Sequence, residues 1–104
     1  MAQFDLYSNP NPETKEAIPY LLDVQADLLH NLATRVVVPL YTAAASGKAA
    51  AHLNPVFSFG QESLVLSTAE LAGVAVSSLG AHVGTLKEHR QEIIAALDFL
   101  FTGF

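Results

Sequence analysis

Hydrophobic and polar residues alternate in the first part of the chain in a pattern that predicts β strands. Residues 3–7 alternate polar and apolar side chains with the period of two that gives a strand one buried face. Residues 8–13, with two prolines and two asparagines, favour a turn. A second strand is predicted at 20–25 and a third at 35–40. The continuous apolar run of the third, β-branched at 36–38, predicts a central strand that is buried on both faces.

The middle of the chain predicts a tight hairpin preceded by a loop. Residues 54–59 and 62–67 read as two strands around Gly60-Gln61, which is typical of a β-hairpin. The alanine-rich stretch 42–52 favours a helix by propensity, but its shortness and central glycine favour a loop or a single turn. Further along, a short helical turn is predicted at 68–71 and a short strand at 74–76.

The last segment predicts a helix from about Leu86 to Phe101. Thr85 and Glu88 have the spacing of a capping box at its start. The apolar stripe at helical intervals consists of Leu86, Ile93, Ile94, Leu97, Leu100, Phe101 and Phe104. Gly103 lies where helices commonly end in the left-handed conformation. Phe99 does not lie on this stripe. We therefore expect it to point away from the core and, close to Phe101 and Phe104, to make an exposed aromatic surface that favours binding.

Composition predicts one folded domain, residues 1–104. Apolar residues make up 51% of the chain and charged residues 14%, which excludes a disordered protein. A domain of this length buries only a modest core, so a homodimer that covers the remaining apolar surface is expected. The chain lacks cysteine, a signal-peptide pattern and a membrane-length apolar run. A cytoplasmic protein without membrane contact is the resulting expectation.

The charge pattern argues against direct binding to nucleic acid. The net charge is −5, and only five lysines and arginines are present, with no basic stripe among them. Neutralising phosphates requires clustered cations. A basic protein partner fits the acidic balance better.

Motifs for catalysis or metal binding are missing from the sequence. The four histidines have no metal-ligand spacing, and neither a Gly-x-Ser-x-Gly elbow nor a glycine-rich phosphate loop occurs. Ser63 has no histidine coupled to it in sequence. Asp23 and Asp27 face no second carboxylate that the sequence identifies. We therefore predict a binding protein with no catalytic residues, no metal and no cofactor.

Several blocks in order resemble the CcdB family, the toxins of bacterial toxin–antitoxin pairs. The blocks are 22–29, 35–40, 53–56, 60–63, 66–68, 74–77 and 79–80, together with Gln3-Phe4 and the final 101–104. The resemblance covers nearly the whole chain. Each block alone is weak, but their order and spacing together are fairly specific.

The resemblance implies a mainly β (α+β) fold. It would be an SH3-like antiparallel β barrel, similar to the MazF and Kid toxins, with a long C-terminal α-helix, assembled as a homodimer. It implies a non-enzymatic toxin that binds the A subunit of DNA gyrase and traps the enzyme on cleaved DNA. A CcdA-like antitoxin would neutralise the toxin. The two together would repress their operon, so operator DNA is reached only through the antitoxin.

The resemblance also implies a gyrase-binding set. Carried over by position, it consists of Phe4, Ala26, Leu28, Leu29, Asp98, Thr102, Gly103 and Phe104. For Phe4, Leu28 and Leu29 the alternative is ordinary packing in the core or a dimer interface. For Gly103 the alternative is a simple helix stop.

Two departures from the family pattern bear on function. The family usually ends in Trp-Gly-Ile with the tryptophan as the main anchor, whereas this chain has Thr102-Gly103-Phe104. This leaves open a toxin relic or variant that binds antitoxin but poisons gyrase weakly or not at all. The segment between Tyr7 and Tyr20 is longer than in the family and rich in proline, and we expect it to influence which antitoxin is accepted. A further alternative is a MazF-like endoribonuclease, which would need a basic groove and an acid–base pair.

Overall fold

A curled antiparallel sheet and one C-terminal helix make up the fold, as seen in a computed structural model that describes residues 1–47 and 53–103. Within these residues the strands are β1 Asp5–Ser8, β2 Tyr20–Asp23, β3 Thr34–Thr42, β4 Val56–Phe59, β5 Glu62–Leu66, β6 Ala72–Ala75 and β7 His82–Thr85. The helices are α1 Ala43–Ser46 and α2 Arg90–Thr102. None of the helices described is long and apolar enough to cross a membrane.

Strand β3 is the centre of the sheet, as predicted. One edge pairs with β2, while the other edge pairs first with β6 and then with β5. Pro39 lies between Val37, the last residue paired with β6, and Leu40, the first paired with β5. A proline lacks the N–H that a strand interior normally donates. Here it stands where the partner strand changes, and its carbonyl still accepts the Ser67 N–H at 3.0 Å.

The connection from β6 to β7 requires the sheet to curl. Val76 N–H donates to Ala33 O, and Gly80 N–H donates to Ser8 O. Across β2, Ser8 lies opposite Leu40, which is seven residues beyond Ala33. In a flat sheet that offset alone is roughly 23 Å, whereas the four steps along the chain from residue 76 to residue 80 span at most about 14 Å. The strands therefore bend into a half-barrel.

The main core lies on one face of this half-barrel. Alternate side chains of β3, Val38 and Leu40, are fully buried there, and α2 contributes Ile93 and Ala96. The other buried members of this cluster are Phe4, Leu6, Leu22, Val24, Phe57, Leu64, Leu66 and Leu86. Burying an aliphatic or aromatic side chain contributes about 1.5–3 kcal/mol, so this cluster supplies most of the favourable free energy of folding.

The opposite face of β2 and β3 holds a buried ion pair. Asp23 lies opposite Val37, so its side chain shares a face with Arg35. Arg35 Nη2 and Nε lie 2.6 Å and 2.9 Å from Asp23 Oδ2, and both residues are at most 1% exposed. Burial raises the pKa of Asp23, and hydrogen bonds from Arg35 and from the Gln25 N–H offset part of this rise. The pair ties β2 to β3 without adding net charge to the interior.

Most predicted elements are confirmed, with shifted boundaries. The central strand, the hairpin at Gly60-Gln61 and the C-terminal helix are present. The stretch 42–47 forms a single helical turn, with Thr42 Oγ1 accepting the Ala45 N–H, and the remainder to residue 52 lies outside the described residues. The strand predicted at 74–76 occupies Ala72–Ala75 and is followed by a 3-10 turn at Val76–Ser78.

Three predictions about the C-terminal third were wrong or incomplete. Strand β7 was missed, because His-Val-Gly-Thr is short and has little β propensity at its glycine. The capping box does not form: Thr85 Oγ1 accepts the Lys87 N–H while its backbone pairs with β1, and α2 begins only after a 3-10 turn at Lys87–His89. Phe101 is 71% exposed, because the last fully buried residue of the helix is Ala96.

Removing one partner of the ion pair should destabilise the fold far more than removing both. We expect Asp23→Leu or Arg35→Met alone to cost about 3–5 kcal/mol, since each leaves a buried charge without its counter-charge. The double variant should lose much less than the sum of the two. Urea unfolding of the four proteins measures this as a double-mutant cycle. Additive losses would contradict the coupling.

Gly80 should tolerate no side chain, because the segment that leads into β7 approaches the end of β1 closely there. A Cβ on Gly80 would lie 2.2 Å from Ser8 Oγ and 2.5 Å from Ser8 O. Gly80→Ala is therefore expected to destabilise the protein by about 1–3 kcal/mol through displaced backbone. Gly73→Ala is the matched control, because nothing lies within 4 Å of that position. Equal unfolding midpoints for the two variants would show that the close approach is unimportant.

Candidate protein-binding site

The loop between β2 and β3 projects apolar side chains into solvent. We call residues 26–33 the leucine loop. It contains a 3-10 turn at Asp27–Leu29, and all of its residues are exposed. Leu28 is 92% exposed, Leu29 47% and Leu32 50%. Three exposed leucines in one loop make this loop a candidate surface for contact with a partner.

Hydrogen bonds, and not apolar packing, hold this loop in place. The Gln3 N–H donates to Asp27 Oδ1 at 2.7 Å, which anchors the turn to the N-terminal segment. On the other side, the Gln25 amide nitrogen donates to Leu29 O at 3.1 Å and to Thr34 O at 3.3 Å. The loop therefore has a defined shape although none of its side chains is buried.

A second exposed apolar region lies at the end of α2. Phe101 is 71% exposed and Phe99 36% exposed. Gly103 adopts a left-handed conformation with φ of 77°, and its N–H donates to Phe99 O, which ends the helix. Thr102 Oγ1 donates to Asp98 O at 2.6 Å, so the threonine side chain folds back on the helix.

This helix end is electronegative. The last turn carries no basic residue, while Asp98 is exposed there and adds to the negative end of the helix dipole. Among the described residues, the exposed side-chain cations are Lys15, Lys87 and Arg90, because Arg35 is buried. Exposed aromatic rings beside negative charge favour a partner surface that is apolar and basic.

The structure separates the predicted site residues into three groups. It brings Ala26, Leu28 and Leu29 together on the leucine loop, all exposed. It places the second group, Asp98, Thr102 and Gly103, at the exposed end of α2. Phe104 lies outside the described residues.

Phe4 lies apart from the other predicted site residues, because it is a core residue. Its side chain is 3% exposed and belongs to the main apolar cluster, and Arg90 lies over its ring at 5.6 Å from the centroid. Its φ of 72° is unusual for a bulky residue. The backbone is held there because its N–H donates to Asp23 O and its carbonyl accepts the Leu86 N–H. The packing alternative given for Phe4 is therefore what the structure supports.

Two contributors to the site were missed by sequence reasoning. Leu32 was not selected, because it lies between the blocks 22–29 and 35–40 that carry the family resemblance. Gln25 was read as the end of a strand and as part of the block 22–29, and its role in holding the loop depends on contacts that no sequence pattern reveals.

Two of the described histidines lie close to carboxylates. His82 Nε2 lies 3.3 Å from Asp5 Oδ2, and His89 Nδ1 lies 3.3 Å from Glu92 Oε1. Within residues 1–47 and 53–103, no group of three or more histidine, aspartate or glutamate side chains is placed to hold a metal ion. Burial, followed by the charges of Asp5 and Asp23, raises the pKa of Tyr7. A phenol with a raised pKa is a weaker acid and offers no activated nucleophile.

Comparison with known proteins agrees with this fold and with the family resemblance. A solved structure described as an endoribonuclease in complex with its cognate antitoxin, from mycobacterial species, is similar with a TM-score of 0.75. It is 14% identical in sequence, and the match covers 97% of this chain and 94% of that chain, so the likeness concerns the fold alone. The sequence model of the CcdB family, described as CcdB protein, matches residues 3–103. Because that match spans nearly the whole chain, the protein belongs to the CcdB family of toxins from toxin–antitoxin pairs.

Proposed function

We propose that this toxin acts by binding the A subunit of DNA gyrase in the cytoplasm and trapping the enzyme on cleaved DNA, without catalysing a reaction itself. The observation that carries the proposal is the leucine loop, where Leu28 is 92% exposed. By the family resemblance, this loop corresponds to a segment that contacts gyrase in CcdB toxins. The exposed end of α2 is the second part of the same proposed surface.

The leucine loop has the properties of a binding anchor. A side chain that is already outside the core can be buried by a partner without unfolding the toxin. Burying an exposed leucine side chain in a partner's pocket contributes about 1.5–3 kcal/mol to the binding free energy. The loop's hydrogen bonds reduce the ordering cost that a flexible loop would add on binding.

Thr102 weakens the second part of this surface relative to the family. Its hydroxyl bonds to Asp98 O, and it offers far less area than the family's tryptophan. Among the described residues, Phe101, at 71% exposed, and Phe99, at 36%, are the exposed aromatic side chains at this helix end. We therefore expect weak gyrase poisoning. The alternative is a relic or variant that binds its antitoxin but does not poison gyrase.

RNA cleavage is the second candidate, because the similar solved structure is described as an endoribonuclease. The charge distribution argues against it. Binding an RNA backbone needs clustered cations, but Arg35 is buried against Asp23, and the other described arginine, Arg90, bonds to Gln3 Oε1. Non-enzymatic action on a protein target fits these charges better.

The proposal includes three further associations. A homodimer would cover part of the exposed apolar surface. A CcdA-like antitoxin would bind and neutralise the toxin. Operator DNA would be contacted through the antitoxin, since the described surface of this chain has few cations.

Substitutions in both parts of the surface test gyrase binding. Leu28→Ser should weaken binding to the purified A subunit of a bacterial gyrase by about tenfold or more, because it removes an apolar side chain whose burial contributes about 1.5–3 kcal/mol. Thr102→Trp should strengthen binding and increase gyrase-dependent DNA cleavage. Calorimetry and a plasmid cleavage assay measure the two effects. Neither change should alter stability by more than about 0.5 kcal/mol, since both sites are exposed.

Val83→Ser is the matched control, because Val83 is 40% exposed but lies on β7, outside both parts of the surface. Sedimentation checks that every variant keeps the oligomeric state of the wild type, expected to be twice the 11.1 kDa chain. If the wild type is harmless in cells and Thr102→Trp alone inhibits growth, the relic alternative is correct. If neither Leu28→Ser nor Thr102→Trp changes affinity, neither part of this surface is the gyrase-binding site. If the wild type does not bind the A subunit at all, gyrase is not the target.

The segment between β1 and β2 is a candidate for antitoxin selection. It is ordered by its own asparagines: Asn11 Oδ1 accepts the Glu13 N–H, and Asn9 Nδ2 donates to Thr14 Oγ1 and to Ile18 O. The Thr42 N–H donates to Ala17 O, which ties the segment to the end of β3. A pre-ordered loop with exposed charges is suited to discriminating between partners by shape and charge.

Exchange of residues 9–19 for the shorter segment of another family member tests this role. The chimera should lose preference for its own antitoxin and gain affinity for that of the donor, while gyrase binding stays unchanged. Competition binding with the two purified antitoxins measures the preference. An unchanged ratio of the two affinities would show that antitoxin choice is made elsewhere.

A further inference from the structure

No side chain of the leucine loop is buried in the core of the protein. All residues from 26 to 34 are exposed, and its 3-10 turn contains no buried residue. A loop of this kind normally samples several conformations, because little opposes its conformational entropy. Something outside the loop has to fix its shape.

The side chain of Gln25 is placed to do so. It is 7% exposed, and its amide nitrogen donates to Leu29 O and to Thr34 O, one carbonyl inside the loop and one at its end. Its amide oxygen accepts the Val36 N–H at 3.0 Å. Both donors and the acceptor of this one amide are therefore used to join the loop to β3.

Gln25 is itself held by the buried ion pair. Its N–H donates to Asp23 Oδ1 at 3.0 Å, and its carbonyl accepts from Arg35 Nη2 at 3.4 Å. Hydrogen bonds thus run from the ion pair through Gln25 to the leucine loop. This network adds to two other contacts of the loop, from the Gln3 N–H to Asp27 Oδ1 and from the Val76 N–H to Ala33 O, in determining where the loop lies.

Stability alone accounts poorly for this arrangement. Arg35 Nη1 is buried and makes no hydrogen bond with residues 1–47 and 53–103, which is unfavourable. Apolar residues of similar volume in place of a buried ion pair are often neutral or stabilising. A polar network is better suited to selecting one backbone conformation than to adding stability.

We infer that Gln25 is a positioning residue, which holds the leucine loop in one conformation so that Leu28 meets a protein partner without first being ordered. The identity of that partner rests on the proposed function. The positioning of the loop does not, since it is a property of the free toxin.

Two substitutions at Gln25 test the inference. Gln25→Met keeps the length of the side chain and removes all three hydrogen bonds. Gln25→Glu keeps the shape and the acceptor for the Val36 N–H but removes both donors to the loop. In both variants, amide hydrogen exchange at Leu29, His30 and Leu32 should be about tenfold faster than in the wild type. Affinity for the gyrase A subunit should fall by about tenfold, with slower association.

Thr68→Val is the matched control. Thr68 is fully buried, and its hydroxyl donates to Leu53 O, so the variant also loses a bond from a buried side chain to the backbone. It should lose global stability while exchange in the leucine loop and affinity remain as in the wild type. If Gln25 had a purely structural role, its variants would likewise lose global stability while loop exchange and affinity stayed as in the wild type.

The outcomes separate this inference from the proposed function. Unchanged loop exchange in Gln25→Glu overturns the inference, and this readout stands even if Gln25→Met fails to fold. The inference is also overturned if the Gln25 variants show faster exchange in the loop but bind with unchanged affinity, while Leu28→Ser does reduce affinity. If the wild type does not bind the A subunit, the proposed function fails, and loop exchange alone decides the role of Gln25.

Discussion

The ion pair between Asp23 and Arg35 is the interaction on which both the centre of the sheet and the leucine loop depend. On one side it connects β2 to β3, and β3 is the strand that β2, β5 and β6 all use as a partner. On the other side it holds the backbone of Gln25 and, through that residue, the loop that carries Leu28. Joining two strands through a buried ion pair costs desolvation free energy that apolar contacts would not cost. Its presence is easier to understand if the geometry it imposes matters for binding as well as for folding.

The likeness to a solved endoribonuclease complex concerns the fold and does not by itself assign chemistry to this chain. Two chains that are 14% identical share a half-barrel over almost their whole length, yet a fold supports whatever side chains its surface carries. In this chain one arginine is enclosed in the interior, and the exposed charges of the described residues are mostly carboxylates. An acidic exterior with exposed leucine and phenylalanine side chains is suited to contacts with proteins.

The elements with a strong local pattern could be predicted from sequence, and those defined by distant contacts could not. The valine run of β3 and the apolar periodicity of α2 are local signals, and both elements are present. Strand β7 has almost no local signal, because it exists through pairing with β1, more than seventy residues earlier in the chain. Phe101 continues the periodic stripe of α2 but lies beyond the buried part of the helix, and sequence periodicity cannot reveal where a core ends. For the candidate site, the family resemblance supplied Leu28 and Leu29, while the hydrogen bonds that make Gln25 important depend on the folded backbone.

The pairing of β1 with β7 also constrains how the protein folds. Asp5 lies opposite Thr85, so the contact that completes the sheet joins residues separated by most of the chain. Contacts of such high sequence separation slow folding, because the intervening chain loses entropy before the contact forms. During synthesis, β1 would leave the ribosome long before its second partner, with one edge open to pairing with other chains. The nascent toxin is therefore expected to be most prone to aggregation, and most dependent on protection by other proteins, before residues 82–85 are synthesised.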